Sequence, residues 1–133
     1  MKTTEMFIEF ESKFSYTETI EKLSETILAN EWRIPSVHDL QEILKKSGKD
    51  VLPIKVIELC KSKYSSQLLE KDELRNVSTL MPCRISAYEK ADGKTYISLM
   101  NADLLAGQIG GKVEAVMAQA YGEIEKIVEE FRK

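Results

Sequence analysis

Leu80-Met81-Pro82-Cys83-Arg84-Ile85-Ser86-Ala87-Tyr88 and Thr95-Tyr96-Ile97-Ser98-Leu99-Met100 are two β-rich runs that flank Lys90-Ala91-Asp92-Gly93-Lys94. An Asp-Gly pair between such runs is the strongest short-range signal for a β-hairpin, because glycine adopts the positive φ that a tight turn demands. Pro82 has no amide to donate, so the start of the first hairpin strand belongs at a sheet edge or bulge and pairing is expected from Cys83 onward.

Working back from the hairpin, Pro53 opens a second mostly apolar run, Ile54, Val56, Ile57 and Leu59, which ends at Cys60. From Ser62, Tyr64, Leu68 and Leu69 keep helical spacing until the polar cluster Glu70 to Asn76, read as helix end and loop. Near the start of the chain, Met6, Ile8 and Phe10 alternate with Phe7, Glu9 and Glu11, the period of a half-buried strand. Ser15 with Glu18 has capping-box spacing, and Tyr16, Ile20, Leu23 and Ile27 then share one helical face up to about Asn30. Trp32-Arg33-Ile34 before Pro35 reads as a short extended piece. Ser36 is expected to cap a short helix carrying Leu40, Ile43 and Leu44 before Gly48, with His38, the only histidine, beside its start.

Past Asn101, a short helical turn with Leu104 and Leu105 is expected to be interrupted by Gly107, Gly110 and Gly111. These glycines match neither phosphate-binding fingerprint and read as a cap and hinge. The last helix is the clearest element. At about 100° per residue, Val113, Val116, Met117, Ala120, Ile124, Ile127, Val128 and Phe131 fall within an arc of about 120°, the pattern of a helix covering a sheet. Gly122 lies opposite that arc, where nothing in the pattern calls for glycine.

No repeat, linker or low-complexity tract divides the 133 residues, so residues 1–133 are expected to be one domain. The element order, closing with a hairpin and a helix, predicts an α+β two-layer sandwich: a mixed sheet of about five strands covered by helices. A domain of this size buries enough surface to be stable without disulfides or a metal. The 19 basic and 22 acidic side chains, net −3, argue against a nucleic-acid partner. No run approaches the roughly 20 apolar residues of a membrane span, and the N-terminus lacks a signal-peptide pattern, so a cytoplasmic protein is expected. In a reducing compartment its two cysteines are expected to be free thiols.

Val37-His38-Asp39-Leu40-Gln41, Glu58-Leu59-Cys60, Met81-Pro82-Cys83-Arg84-Ile85-Ser86, Tyr88-Glu89, Asp92-Gly93-Lys94 and Asn101 together resemble the domain of unknown function 302 family. That resemblance implies a small α+β domain, often dimeric, in bacterial or archaeal cytoplasm. It supplies no established reaction, so no catalytic residues carry over from it, and the cofactor is unknown.

A candidate ligand site gathers Glu58, Cys60, Cys83 and Arg84, with His38 as a further member. Period-two geometry puts Glu58 and Cys60 on one face. Cys60 precedes a helix whose N-terminus favours a thiolate, while an adjacent Glu58 opposes it. Cys83 alternates with Ile85 and Ala87 as a core-facing residue would, and Arg84 can hold a carboxylate or phosphate or simply pair with Glu58. Metal binding is not signalled, since two thiols and one imidazole leave a tetrahedral site one ligand short. Three readings follow: a ligand-binding or sensing module, a thiol-dependent redox protein or enzyme using Cys60 with Cys83, and a structural domain with inert cysteines. The second requires the two sulfurs to meet, which is the expectation if their strands are antiparallel neighbours. A homodimer is expected from the resemblance and from a last helix wide enough to touch a neighbour.

Overall fold

The computed structural model describes residues 5–133; the reading of positions 1–4 lies outside the described residues. Strands β1 (Phe7–Glu11), β2 (Arg33–Asp39), β3 (Ile54–Cys60), β4 (Cys83–Glu89) and β5 (Thr95–Met100) form one sheet in the order β1-β5-β4-β3-β2. Every pairing is antiparallel, where a mixed sheet was expected. The reason lies in one connection. Helix α1 (Tyr16–Ala29) carries the chain from one edge of the sheet to the other, and β2 to β5 then return as neighbours until β5 pairs with β1. Only the first crossover is long-range, so the other strands can reverse direction one after another.

Alternation puts the apolar side chains on one face. Ile8 and Phe10, Ile97 and Leu99, Ile85 and Ala87, and Ile57 and Leu59 are all buried, and the register lines them up across four strands. Leu23 and Ile27 of α1 and the apolar arc of α5 (Gly111–Glu129) pack onto them. All eight residues assigned to the α5 arc are buried, joined by Tyr121 on its flank. That arc is therefore consumed by the domain's own core, and the apolar width expected to reach a neighbouring copy is already used.

Several boundaries differ from expectation. Ser36 does not cap a helix: β2 runs through Pro35 and Ser36 to Asp39, and Asp39 caps α2 (Leu40–Lys46), its carboxylate accepting from the Glu42 amide at 3.0 Å. Pro35 is tolerated because β2 is an edge strand with a register shift between Arg33 and Ser36. His38 is consequently a strand residue, paired with Val56. Helix α3 (Ser62–Leu69) forms where expected, but the polar stretch after it coils into a 3₁₀ helix over Asp72–Leu80 rather than a loop. Gly107 lies inside α4 (Ala102–Ile109), and the break before α5 falls at Gly110 and Gly111, both with positive φ. The capping box at Ser15 and Glu18, the hairpin, and pairing from Cys83 all form as expected.

Gly122 has no atom within 4 Å of the position a Cβ would take. The helix thus carries the entropic cost of glycine with no packing return. Gly122→Ala should raise the unfolding free energy by about 0.5–1 kcal/mol, measured by urea denaturation with an unchanged slope.

Candidate functional site

On the second face of the sheet the alternate side chains of the strands form transverse rows. One row runs Ser36, Glu58 and Arg84 across β2, β3 and β4; the next runs His38, Val56, Ser86, Ser98 and Glu9 across all five strands. A third sets Ile54 beside Tyr88 and Tyr96, whose rings stack at 6.4 Å. The structure thus brings together three of the five predicted site residues. The Glu58 carboxylate, with a side chain only 12% exposed, lies 3.3 Å from His38 Nε2 and accepts from an Arg84 guanidinium nitrogen at 3.3 Å. Arg84 itself is 64% exposed.

Beside Arg84 the face dips into a depression of about 370 Å³. Its shape follows from residue size: Ser86 and Ser98 are small and directly opposed, while Val56, Met100 and Phe7 stand around them and the end of the 3₁₀ helix with Tyr121 of α5 forms a further wall. Phe7 is 67% exposed, an aromatic ring on the solvent side of a strand. The alternation of Phe7 with Ile8 and Phe10 already carried that signal. Ser98 and Met100 offered none, because their role comes from pairing with other strands.

The cysteines do not join this group, nor each other. Strands β3 and β4 are antiparallel neighbours as the shared-site reading required, but Leu59, not Cys60, stands opposite Cys83. The register that pairs the strands therefore sets the two cysteines one residue out of step rather than directly opposite each other. Both are free and they do not lie near each other. The Cys60 sulfur is 3.9 Å from the Ser65 hydroxyl. Cys83 packs against the core next to the Tyr121 hydroxyl, and burial pushes its thiol up to about 11. It is protonated at neutral pH and a poor nucleophile.

A further cluster was invisible in sequence. The Glu123 carboxylate on α5 accepts from Lys61 Nζ at 2.7 Å, from Trp32 Nε1 at 3.2 Å, and from the Tyr64 hydroxyl. Burial alone would raise the Glu123 pKa, but the hydrogen bonds from Lys61, Tyr64 and Trp32 outweigh it and hold the carboxyl below its usual range. The same contact raises Tyr64, first through its hydrogen bond to Glu123 and then through burial, from the usual 10 to about 12. The partners lie 59 to 91 residues from Glu123, beyond any local pattern.

The linkage acts at both ends of the pH scale. A depressed carboxyl contributes stability that is present above its unfolded pKa and lost as pH falls through the folded value. A raised phenol contributes stability that is complete below 10 and lost as pH rises toward 12. Tyr88, raised to about 12 chiefly by burial and then by Glu9, adds to the alkaline loss. Melting temperature should therefore fall between pH 10 and 12, with a shallower slope in Tyr64→Phe. Glu123→Ala, which strands three donors, should cost about 1–3 kcal/mol at pH 7.

Among the described residues no three metal-ligating side chains cluster, and no helix is long and apolar enough to cross a membrane. No characterised protein in a search of curated sequences matches the chain. A solved structure that does resemble it is the crystal structure of an uncharacterized conserved protein, DUF302, from Bacillus stearothermophilus. It is 20% identical in sequence, with a TM-score of 0.84 over 96% of this chain and 98% of that one. That likeness shows a shared fold. Residues 8–131 match the family described as Domain of unknown function DUF302, and the chain belongs to that family.

Proposed function

We propose that the domain is a ligand-binding module, that its site is the depression beside Arg84 on the second sheet face, and that its ligand is a small organic anion with an apolar part. One observation carries this reading. Arg84, exposed and anchored through one nitrogen on Glu58, borders a concavity of ligand size. Apolar walls supply burial, and a guanidinium with two opposed serine hydroxyls supplies orientation, which is the usual composition of small-molecule sites. Glu58 braces Arg84 rather than opposing the ligand, because its own charge is engaged by His38 and Arg84. Cys60 and Cys83 have no part in this site, and the thiol-redox reading loses its basis with their separation.

Titration with benzoate and phenyl phosphate tests the reading. Saturable NMR shifts should centre on Phe7, Val56, Arg84 and Ser98, and Arg84→Gln should weaken binding at least tenfold, about 1.4 kcal/mol. Shifts that never saturate, or that survive the substitution unchanged, would refute it.

A second reading, a homodimer, rests on a separate observation. Val37, Ile43, Leu44, Val51 and Leu52, all at the β2 edge of the sheet or on the chain beside it, are between 37% and 51% exposed. Apolar side chains grouped in this way mark contact surfaces more often than they occur on monomers. Sedimentation equilibrium at tens of micromolar should show a dimer, and Ile43→Glu with Leu52→Glu should yield monomer. A wild-type chain that is monomeric throughout that range removes this reading.

A further inference from the structure

A second concavity lies on the opposite side of the sheet, between the ends of β3 and β4, α3, the 3₁₀ helix and α5. Space open to the centre of a water-sized sphere amounts to about 50 Å³, room for roughly one or two waters. Its walls are nonetheless apolar, set chiefly by Trp32, Tyr64, Leu68, Val77, Met117 and Tyr121. Water needs two to four polar partners to be held in such a place. Among the described residues, no buried side-chain nitrogen or oxygen lacks a hydrogen bond, so none is left waiting for one. Native interiors elsewhere close such gaps, since an unfilled void forfeits dispersion contacts on every wall.

The walls are also held open from outside. Trp32 and Tyr64 sit 6.0 Å apart between ring centres, and both are tied by their polar ends to Glu123. Two aromatic side chains fixed at their rims cannot rotate inward to fill the space. Methionines 81 and 117 line it with flexible thioethers that adapt to an occupant.

We infer that this pocket is a binding site for a small uncharged aliphatic group of a few carbons, since about 50 Å³ is well short of the roughly 150 Å³ of a cavity that holds benzene. It is distinct from the depression beside Arg84: the two share only the wall formed by Leu80, Met81, Pro82 and Tyr121. An anion is disfavoured here because the Glu123 carboxylate stands at the rim with Lys61 already engaged on it.

Xenon, followed on the intact chain by ¹³C-methyl NMR, is the probe, and benzene, too large for a space of about 50 Å³, is the control. Saturable shifts are expected at Leu68, Val77, Val116 and Met117, with Ile8 on the far strand unmoved. Ala120→Leu fills the pocket and should raise the apparent xenon dissociation constant at least tenfold; if that variant does not fold, Val77→Phe fills the same space from the half-buried 3₁₀ helix. Leu68→Ala, which enlarges the pocket, should produce a saturable benzene response that the native chain lacks. Shifts proportional to xenon pressure over the whole surface, or saturable shifts unaffected by a filling variant, would overturn the inference. The readout residues differ from those at Arg84, so failure here leaves the anion site standing, and the reverse.

Discussion

Ile57 and Ile85 face each other across β3 and β4 with no solvent exposure, and the register of the sheet turns on that pair. A slip of one residue would carry Glu58 and Arg84 beneath α1 and α5 and turn the two isoleucines to water. Each isoleucine would forfeit about 1.5–3 kcal/mol of burial, and each buried charge would cost several more. With the pair in place, the apolar side chains of four strands fall on one face and His38, Glu58, Arg84, Ser86 and Ser98 on the other. The candidate anion site is therefore a consequence of core register: the force that assembles the core also sorts the polar groups onto one exposed surface.

How much of this was readable follows from whether a signal was local. The hairpin at Asp92-Gly93, the α1 cap at Ser15 and Glu18, and the α5 arc each depend on residues within a few turns of one another, and each was visible in the sequence. The Glu58–Arg84 pairing was foreseen as one outcome for Arg84, since a guanidinium one strand away from a carboxylate finds it readily. Ser36 misled because serine before an apolar helical pattern looks like a cap, whereas Pro35 is compatible with an edge strand and Asp39 is the better-placed acceptor. The all-antiparallel order was hidden because it depends on α1 crossing the sheet, and no residue of α1 reports how far it travels. The depression beside Arg84 belongs to the same class, being assembled from Phe7, Val56, Ser86 and Met100 on four different strands.

Glu123 shows how a single side chain can tie layers together. Lys61 stands just before α3, Tyr64 within it, and Trp32 just before β2, while Glu123 projects from α5. One carboxylate therefore joins the end of the sheet, a short helix and the long covering helix. Helix α3 has eight residues and no side-chain cap at its start, too short to persist without tertiary contacts. Buried Tyr64 and Leu68 supply the apolar part of that contact, and the hydrogen bond to Glu123 fixes its orientation.

That orientation explains what the cysteines do. Cys60 and Cys83 flank the point where the chain leaves the sheet for α3 and returns from the 3₁₀ helix, and both border the apolar pocket. A disulfide or redox pair needs an accessible thiolate and a second sulfur within reach. Cys83 meets neither requirement: it opposes Leu59 rather than Cys60, and its burial raises the thiol to about 11. A protonated, half-buried cysteine packed against the core behaves as a small hydrophobic side chain with a weak donor. At the start of β4 that is the size the pocket admits, since a larger residue there would press on Tyr121 and narrow the space beneath α3.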